Sequence, residues 1–142
     1  MPAGLAVAVA VIFVWLGMVL AISFVEAPLK FRAPGVTVRI GLGIGRLVFR
    51  TLNTIEAVFA AALVVLAFVV DAPVGAVVAG AVAVALLLAQ LLLVRPALNR
   101  RSDAVLAGDE DAPRSRGHLN YVALEILKTA ALVVTGVLLL AS

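Results

Sequence analysis

Charged and polar residues divide this chain into four uncharged runs of unequal length. From Ala3 to Val25 there is no charge for about 23 residues, enough to cross a hydrocarbon core of about 30 Å. Nothing basic precedes that run and Lys30 and Arg32 follow it, so it reads as a retained first helix and not as a cleaved leader. Glu26 and Pro28 mark its inner end. Val74 to Val94 forms a third run of about 21 residues, and its single polar interruption, Gln90, lies near the inner end. The other two runs are too short. Ala57 to Val70 has about 14 residues and Thr129 to Ala141 about 13, or roughly 20 Å of helix. If both cross a bilayer, Glu56 and Asn53 are drawn into it on one helix, and Lys128 and Glu125 on the other. Ionisable groups at that depth need a partner, an aqueous cavity or a route to the interface.

The pattern predicts a single transmembrane domain over 1–142, with spans at about 3–25, 52–70, 74–94 and 118–140. Segments 26–51 and 95–117 connect them on the inner side, and Asp71-Ala-Pro73 is a short outer turn. In the first connection Pro34-Gly35 is a turn signal. Beyond it Val36, Ile40, Leu47 and Val48 alternate with arginines as in an interfacial amphipathic helix. Gly41 and Gly45 suit close helix packing. Gly41-Leu-Gly43-Ile-Gly45 has neither the GxGxxG spacing nor the lysine of a phosphate loop, and no strand precedes it. In the second connection Pro96 fits a first helical position and Gly108 a C-terminal cap, which predicts a short surface helix. The run Asp109-Glu-Asp111, followed by Arg114 and Arg116, reads as a solvated loop.

Composition turns this pattern into a fold class. The chain is 65% hydrophobic and 13% charged, with a mean hydropathy of +1.24, whereas soluble domains are about 45–50% apolar. The expectation is all-α: an integral membrane four-helix bundle, up-down-up-down, with an interfacial amphipathic helix between spans one and two. With no cysteine, disulfides, thiolate nucleophiles and Cys-based metal sites are excluded. A net charge of +3 invites a nucleic-acid reading, but the basic residues sit beside the spans and no recognition motif accompanies them. Lys30, Arg32, Arg39, Arg46 and Arg50 occupy one connection, and Arg95, Arg100, Arg101, Arg114 and Arg116 the other. Neither end and not the outer turn has any. The positive-inside rule then places both termini outside the cell (inner) membrane.

Candidate chemistry lies where the polar residues share a face. At 100° per residue Arg46, Arg50, Asn53 and Glu56 fall within about 120°, and His118, Tyr121, Glu125 and Lys128 within about 80°. Both stripes should turn inward, so that spans two and four face each other across an inner polar pocket beneath a dry outer half. Glu26 and Gln90, at the inner ends of spans one and three, complete the candidate set. The pocket has two readings. It is a buried salt-bridge network that holds helix register, or it is part of a path for protons, cations or small polar solutes in which Glu56 or Glu125 exchanges and Lys128 balances charge.

His118 is the only histidine and a polar residue opening a helix explains it; a bis-histidine haem would need a second chain or another ligand. No cofactor and no metal site is expected. The serines lack any nucleophile-elbow context, so no enzyme is expected either. The expected partners are the lipid bilayer and a homo-oligomer or larger membrane complex, with no nucleic acid. The function classes left are a small permease or channel-like protein and a non-enzymatic accessory or scaffold subunit.

Glu26-Ala-Pro-Leu-Lys-Phe-Arg-Ala-Pro34, Gly43-Ile-Gly-Arg-Leu-Val-Phe49, Arg95-Pro-Ala-Leu-Asn99 and the His118 that opens span four carry a resemblance. In this layout the chain resembles a family of small four-helix bacterial membrane proteins of unknown function, distantly related to a eukaryotic transmembrane protein linked to cisplatin resistance. The resemblance implies four spans. Glu125 and Lys128 are not part of it.

Overall fold

The computed structural model describes residues 1–108 and 116–142, and the charged run that begins at Asp109 falls outside them. Among the described residues all regular structure is helical. Four long helices carry it: α1 (Ala3–Arg32), α2 (Val38–Val69), α3 (Val74–Leu106) and α4 (Arg116–Leu140). Each contains a stretch long and apolar enough to cross a membrane, which makes this a multi-pass membrane protein by composition.

The helices overrun the membrane-length segments expected of them, and in α1 and α3 Pro28 and Pro96 show how. A proline inside a helix lacks an N–H and its ring presses on the carbonyl four residues back, which ordinarily breaks or kinks the helix. Here the backbone widens instead. α1 is α-helical to Val19, π-helical over Leu20–Glu26 just ahead of Pro28, and then continues through Ala27–Leu29 and a 3-10 turn at Lys30–Arg32. α3 repeats the device, α-helical to Ala89, π-helical over Gln90–Val94 ahead of Pro96, and α-helical again over Arg95–Leu106. Wider turns of this kind relieve the proline clash and keep the chain helical. Pro28 therefore does not end the first helix, and Pro96 does not start a separate surface helix. Gly108, at φ 113°, closes α3 as a cap, with its N–H on the Val105 carbonyl.

The interfacial helix expected between spans one and two is also not a separate element. After a turn at Pro34-Gly35, with Gly35 at φ 82°, Thr37 caps α2 by accepting from the Ile40 N–H at 3.2 Å. The helix then runs unbroken for 32 residues. Its three early glycines cost about 1 kcal/mol each in helix propensity, too little to break a helix held by packing on both sides. Two of them serve that packing, though not by bringing two backbones together. A Cβ at Gly41 would lie 2.1 Å from the Phe31 ring, and one at Gly45 would lie 3.0 Å from Lys30 Nζ. Both glycines make room for side chains from the tail of α1.

α4 packs along α3 and α1, and α1 also packs on α2. Their shared core, around Leu5, Ile12, Ala76, Ala83, Leu132 and Leu139, is apolar. Large apolar side chains such as Phe68 and Leu93 cover the outside, the surface a hydrocarbon solvent requires. The tails of α1 and α3 and the starts of α2 and α4 together form a basic end, tied across by an Arg46–Asp103 ion pair.

Candidate functional site

Toward the basic end the apolar core gives way to a cluster of ionisable and amide side chains. Glu56 on α2, Glu125 and Lys128 on α4, and Gln90 at the start of the α3 π-turn are all buried, as are Asn53 and Tyr121. Lys128 is about 18 Å of helix from Leu140, and Glu56 about 20 Å from Val69, so both lie at a similar depth from the far end.

Lys128 is the hub. Its ammonium has three N–H donors and three acceptors surround it. Glu56 Oε1 lies at 2.5 Å, Gln90 Oε1 at 2.9 Å and Glu125 Oε1 at 2.6 Å. The Glu125 contact is angled as an ion pair and not as a hydrogen bond. The carboxylates have further donors from α1: Trp15 Nε1 donates to Glu56 Oε1 at 3.0 Å and Ser23 Oγ to Glu125 Oε2 at 2.9 Å. Gln90 Nε2 donates to the Tyr121 carbonyl at 3.4 Å, and the Tyr121 hydroxyl to Asn53 Oδ1 at 3.5 Å. All four helices thus contribute to one polar layer.

The arrangement accounts for the polar positions unevenly. Glu56, Glu125, Lys128, Asn53, Tyr121 and Gln90 come together. The arginines do not join them. Arg46 reaches Asp103 in a half-exposed pair and Arg50 is exposed, so the inward stripe expected for both is not formed. The reason is angular: Arg50 and Glu56 lie on opposite edges of a 120° arc, and burying one edge turns the other outward. Glu26 stands apart too, 3.7 Å from Lys30 one turn later. His118 is exposed on the wall of a cavity at the basic end.

That cavity has a volume of about 510 Å³ and lies against the polar layer. Ser23, Lys30, Arg46, Arg95, His118 and Glu125 contribute to its wall. Glu125 therefore belongs both to the cavity and to the buried cluster, whereas the polar contacts of Glu56 among the described residues are with Lys128 and Trp15. Toward the other end, among the described residues, the side-chain hydrogen bonds go to the backbone of α4 alone. Thr135 is buried there, but its hydroxyl donates to the Ala131 carbonyl of its own helix at 2.7 Å.

Trp15, Ser23 and Arg95 were not legible as site residues. Trp15 did carry a signal: a buried indole N–H in an otherwise apolar span needs an acceptor, and a carboxylate in the same membrane needs a donor. Ser23 is likewise a lone hydroxyl in its run. Arg95 looks in sequence like the first residue of a loop, and only the continuation of α3 through Pro96 brings it over the Tyr121 ring at 4.7 Å.

Fold and site together define a small four-helix multi-pass protein with a buried Glu–Lys–Glu cluster. No family model, curated protein or solved structure matches the chain, so the reading of the site rests on its own geometry.

Proposed function

We propose that this protein is a small permease or channel-like membrane protein in which Glu125 exchanges protons, cations or small polar solutes between the cavity and the buried Glu56–Lys128 pair. One observation carries the reading: Glu125 lines the cavity and at the same time lies 2.6 Å from a fully buried ammonium. Fully ionised, two carboxylates and one ammonium leave one surplus negative charge, and a bound proton or cation brings the cluster to neutrality. Intramembrane ionisable groups on such terms are typical of ion and proton paths. The π-turns that carry Ser23 and Gln90 add to the case, since such turns recur at functional sites.

The accompanying topology is up-down-up-down in the cell (inner) membrane, with both termini outside and the cavity open toward the inner face, on the positive-inside rule. Because the chain has no cysteine, Asp71→Cys and Arg100→Cys give clean labelling sites. Asp71→Cys is expected to react with an impermeant thiol reagent from outside in intact cells, and Arg100→Cys only after lysis. The opposite pattern rejects the topology.

The exchange reading is tested by flux into proteoliposomes. Glu125→Gln is expected to abolish a pH-dependent flux while the protein stays folded. Wild-type flux equal to that of empty vesicles, across protons, common cations and small organic solutes, rejects the reading.

A second reading is favoured by the packing of the cluster: the fully buried Lys128 ammonium lies within 3 Å of acceptors on α2, α3 and α4. On this reading the charges are structural and the protein is an accessory subunit of a larger membrane complex. It is then expected to co-purify with a stoichiometric partner in mild detergent and to show no flux.

A further inference from the structure

The cavity at the basic end is walled by four cations, Lys30, Arg46, Arg95 and Arg101, against the single carboxylate of Glu125 among the described residues. Two of the cations already have anionic partners, Arg46 with Asp103 and Lys30 with Glu26. Arg95 has none. Its guanidinium lies against two aromatic rings that themselves meet edge to face, 4.7 Å from the centroid of Tyr121 and 5.1 Å from that of Phe49. Nε and Nη2 of Arg95 are buried, yet neither has a hydrogen-bond partner among the described residues, and the same holds for Nε of Arg101. Nε and Nη2 share one edge of the guanidinium. That edge is the one that grips a carboxylate or phosphate side-on through two parallel hydrogen bonds.

A guanidinium whose bidentate edge is buried and unused is costly to keep unless something anionic completes it. We propose that this cavity is a binding site for a phosphate group, held side-on by Arg95, with Arg101 and Lys30 supplying further positive charge. The rest of the wall favours a phosphate attached to an apolar body, because Phe24, Phe31, Leu42, Leu98 and Val122 line the same space. The inference does not depend on the exchange reading, which concerns Glu125 and the cluster beneath it.

The test uses the full chain in nanodiscs of phosphatidylcholine, titrated by calorimetry with dihexanoylphosphatidic acid and, separately, with inorganic phosphate. Saturable binding of about one phosphatidic acid per chain is expected. Arg95→Gln is expected to weaken it by about 10- to 100-fold, as the loss of a charge-assisted bidentate contact does. Arg95→Lys keeps the charge but loses the fork, so a loss of about 10-fold is expected there too. Arg100→Gln, an exposed charge on the same helix, is expected to leave binding unchanged. If inorganic phosphate binds as tightly as the lipid, the site serves a free phosphate; if only the lipid binds, it serves a headgroup with its tail. Absence of saturable binding by either ligand overturns the proposal. So does an Arg95→Lys variant of wild-type affinity, or an Arg100→Gln variant weakened as much as Arg95→Gln, which would mean general surface attraction. Arg101→Gln, expected to weaken binding by a smaller factor, carries the test if Arg95→Gln does not fold. Glu125→Gln separates the two proposals, since it is expected to stop flux while tightening phosphate binding, the wall having lost its carboxylate.

Discussion

At the end of the bundle away from the basic residues, a cavity of about 420 Å³ is walled by Leu63, Val70, Ala76, Val84 and their like, with the hydroxyl of Thr135 as the only polar side chain among the described residues. At the basic end the cavity of about 510 Å³ is walled by four cations, a carboxylate and an edge-to-face aromatic pair. The contrast separates two ways of holding helices together in hydrocarbon. Lipid tails are as apolar as leucine, so the apolar half gains from close packing but little from choosing one partner over another. A buried charge has no such freedom. Glu56, Gln90 and Glu125 must each reach the same ammonium, and that requirement fixes the rotation and height of α2, α3 and α4 relative to one another.

The sharpest way to break this contrast is Lys128→Met. It leaves two carboxylates facing each other in the core, and removing one partner of a buried ionic group typically costs about 3–5 kcal/mol. The expected outcome is a large loss of folded yield and a circular dichroism melt in detergent well below that of wild type. A melt within a few degrees of wild type would show that the cluster does not specify the packing. A smaller pair of changes sharpens the comparison. Trp15→Phe keeps the ring but removes the donor to Glu56, at an expected cost of about 1–2 kcal/mol. Thr135→Val removes a hydroxyl that only repeats a backbone contact within α4, and the expected change is within about 0.5 kcal/mol. Equal shifts in the two melts would mean that the halves do not differ in the way described.

The sequence made the depth of the site legible. Spans two and four each lack the length to cross without burying their own charges, and that deficit alone places Glu56, Glu125 and Lys128 at one depth. Span one has no such deficit. Its contributions, Trp15 and Ser23, were hidden because a full-length apolar run gives no reason to look for a polar contact inside it. The helix boundaries were less legible than the site, because Pro28 and Pro96 were read by their usual effect. Whether a proline ends a helix or merely widens it depends on packing beyond the proline, here of Lys30 and Phe31 on α2 and of Arg95 on Tyr121. Sequence periodicity carries no record of that. The fate of the arginines was a matter of degree: a polar arc of 120° is too broad to bury whole, and only the neighbouring helices decide which edge is kept.

The two π-turns also set the phase of everything that follows them. A π-turn holds one residue more than the α-turn it replaces, so the chain beyond it is displaced by one position, about 100° around the axis. In α1 that step decides where Lys30 and Phe31 point, and in α3 where Arg95 points. Replacing side chains one by one leaves the step intact. Removing a single residue from Leu20–Glu26 or from Gln90–Val94 would leave the apolar half in register and swing the basic half away from its cavity. Insertion and deletion, more than substitution, are the changes to which this architecture is most exposed.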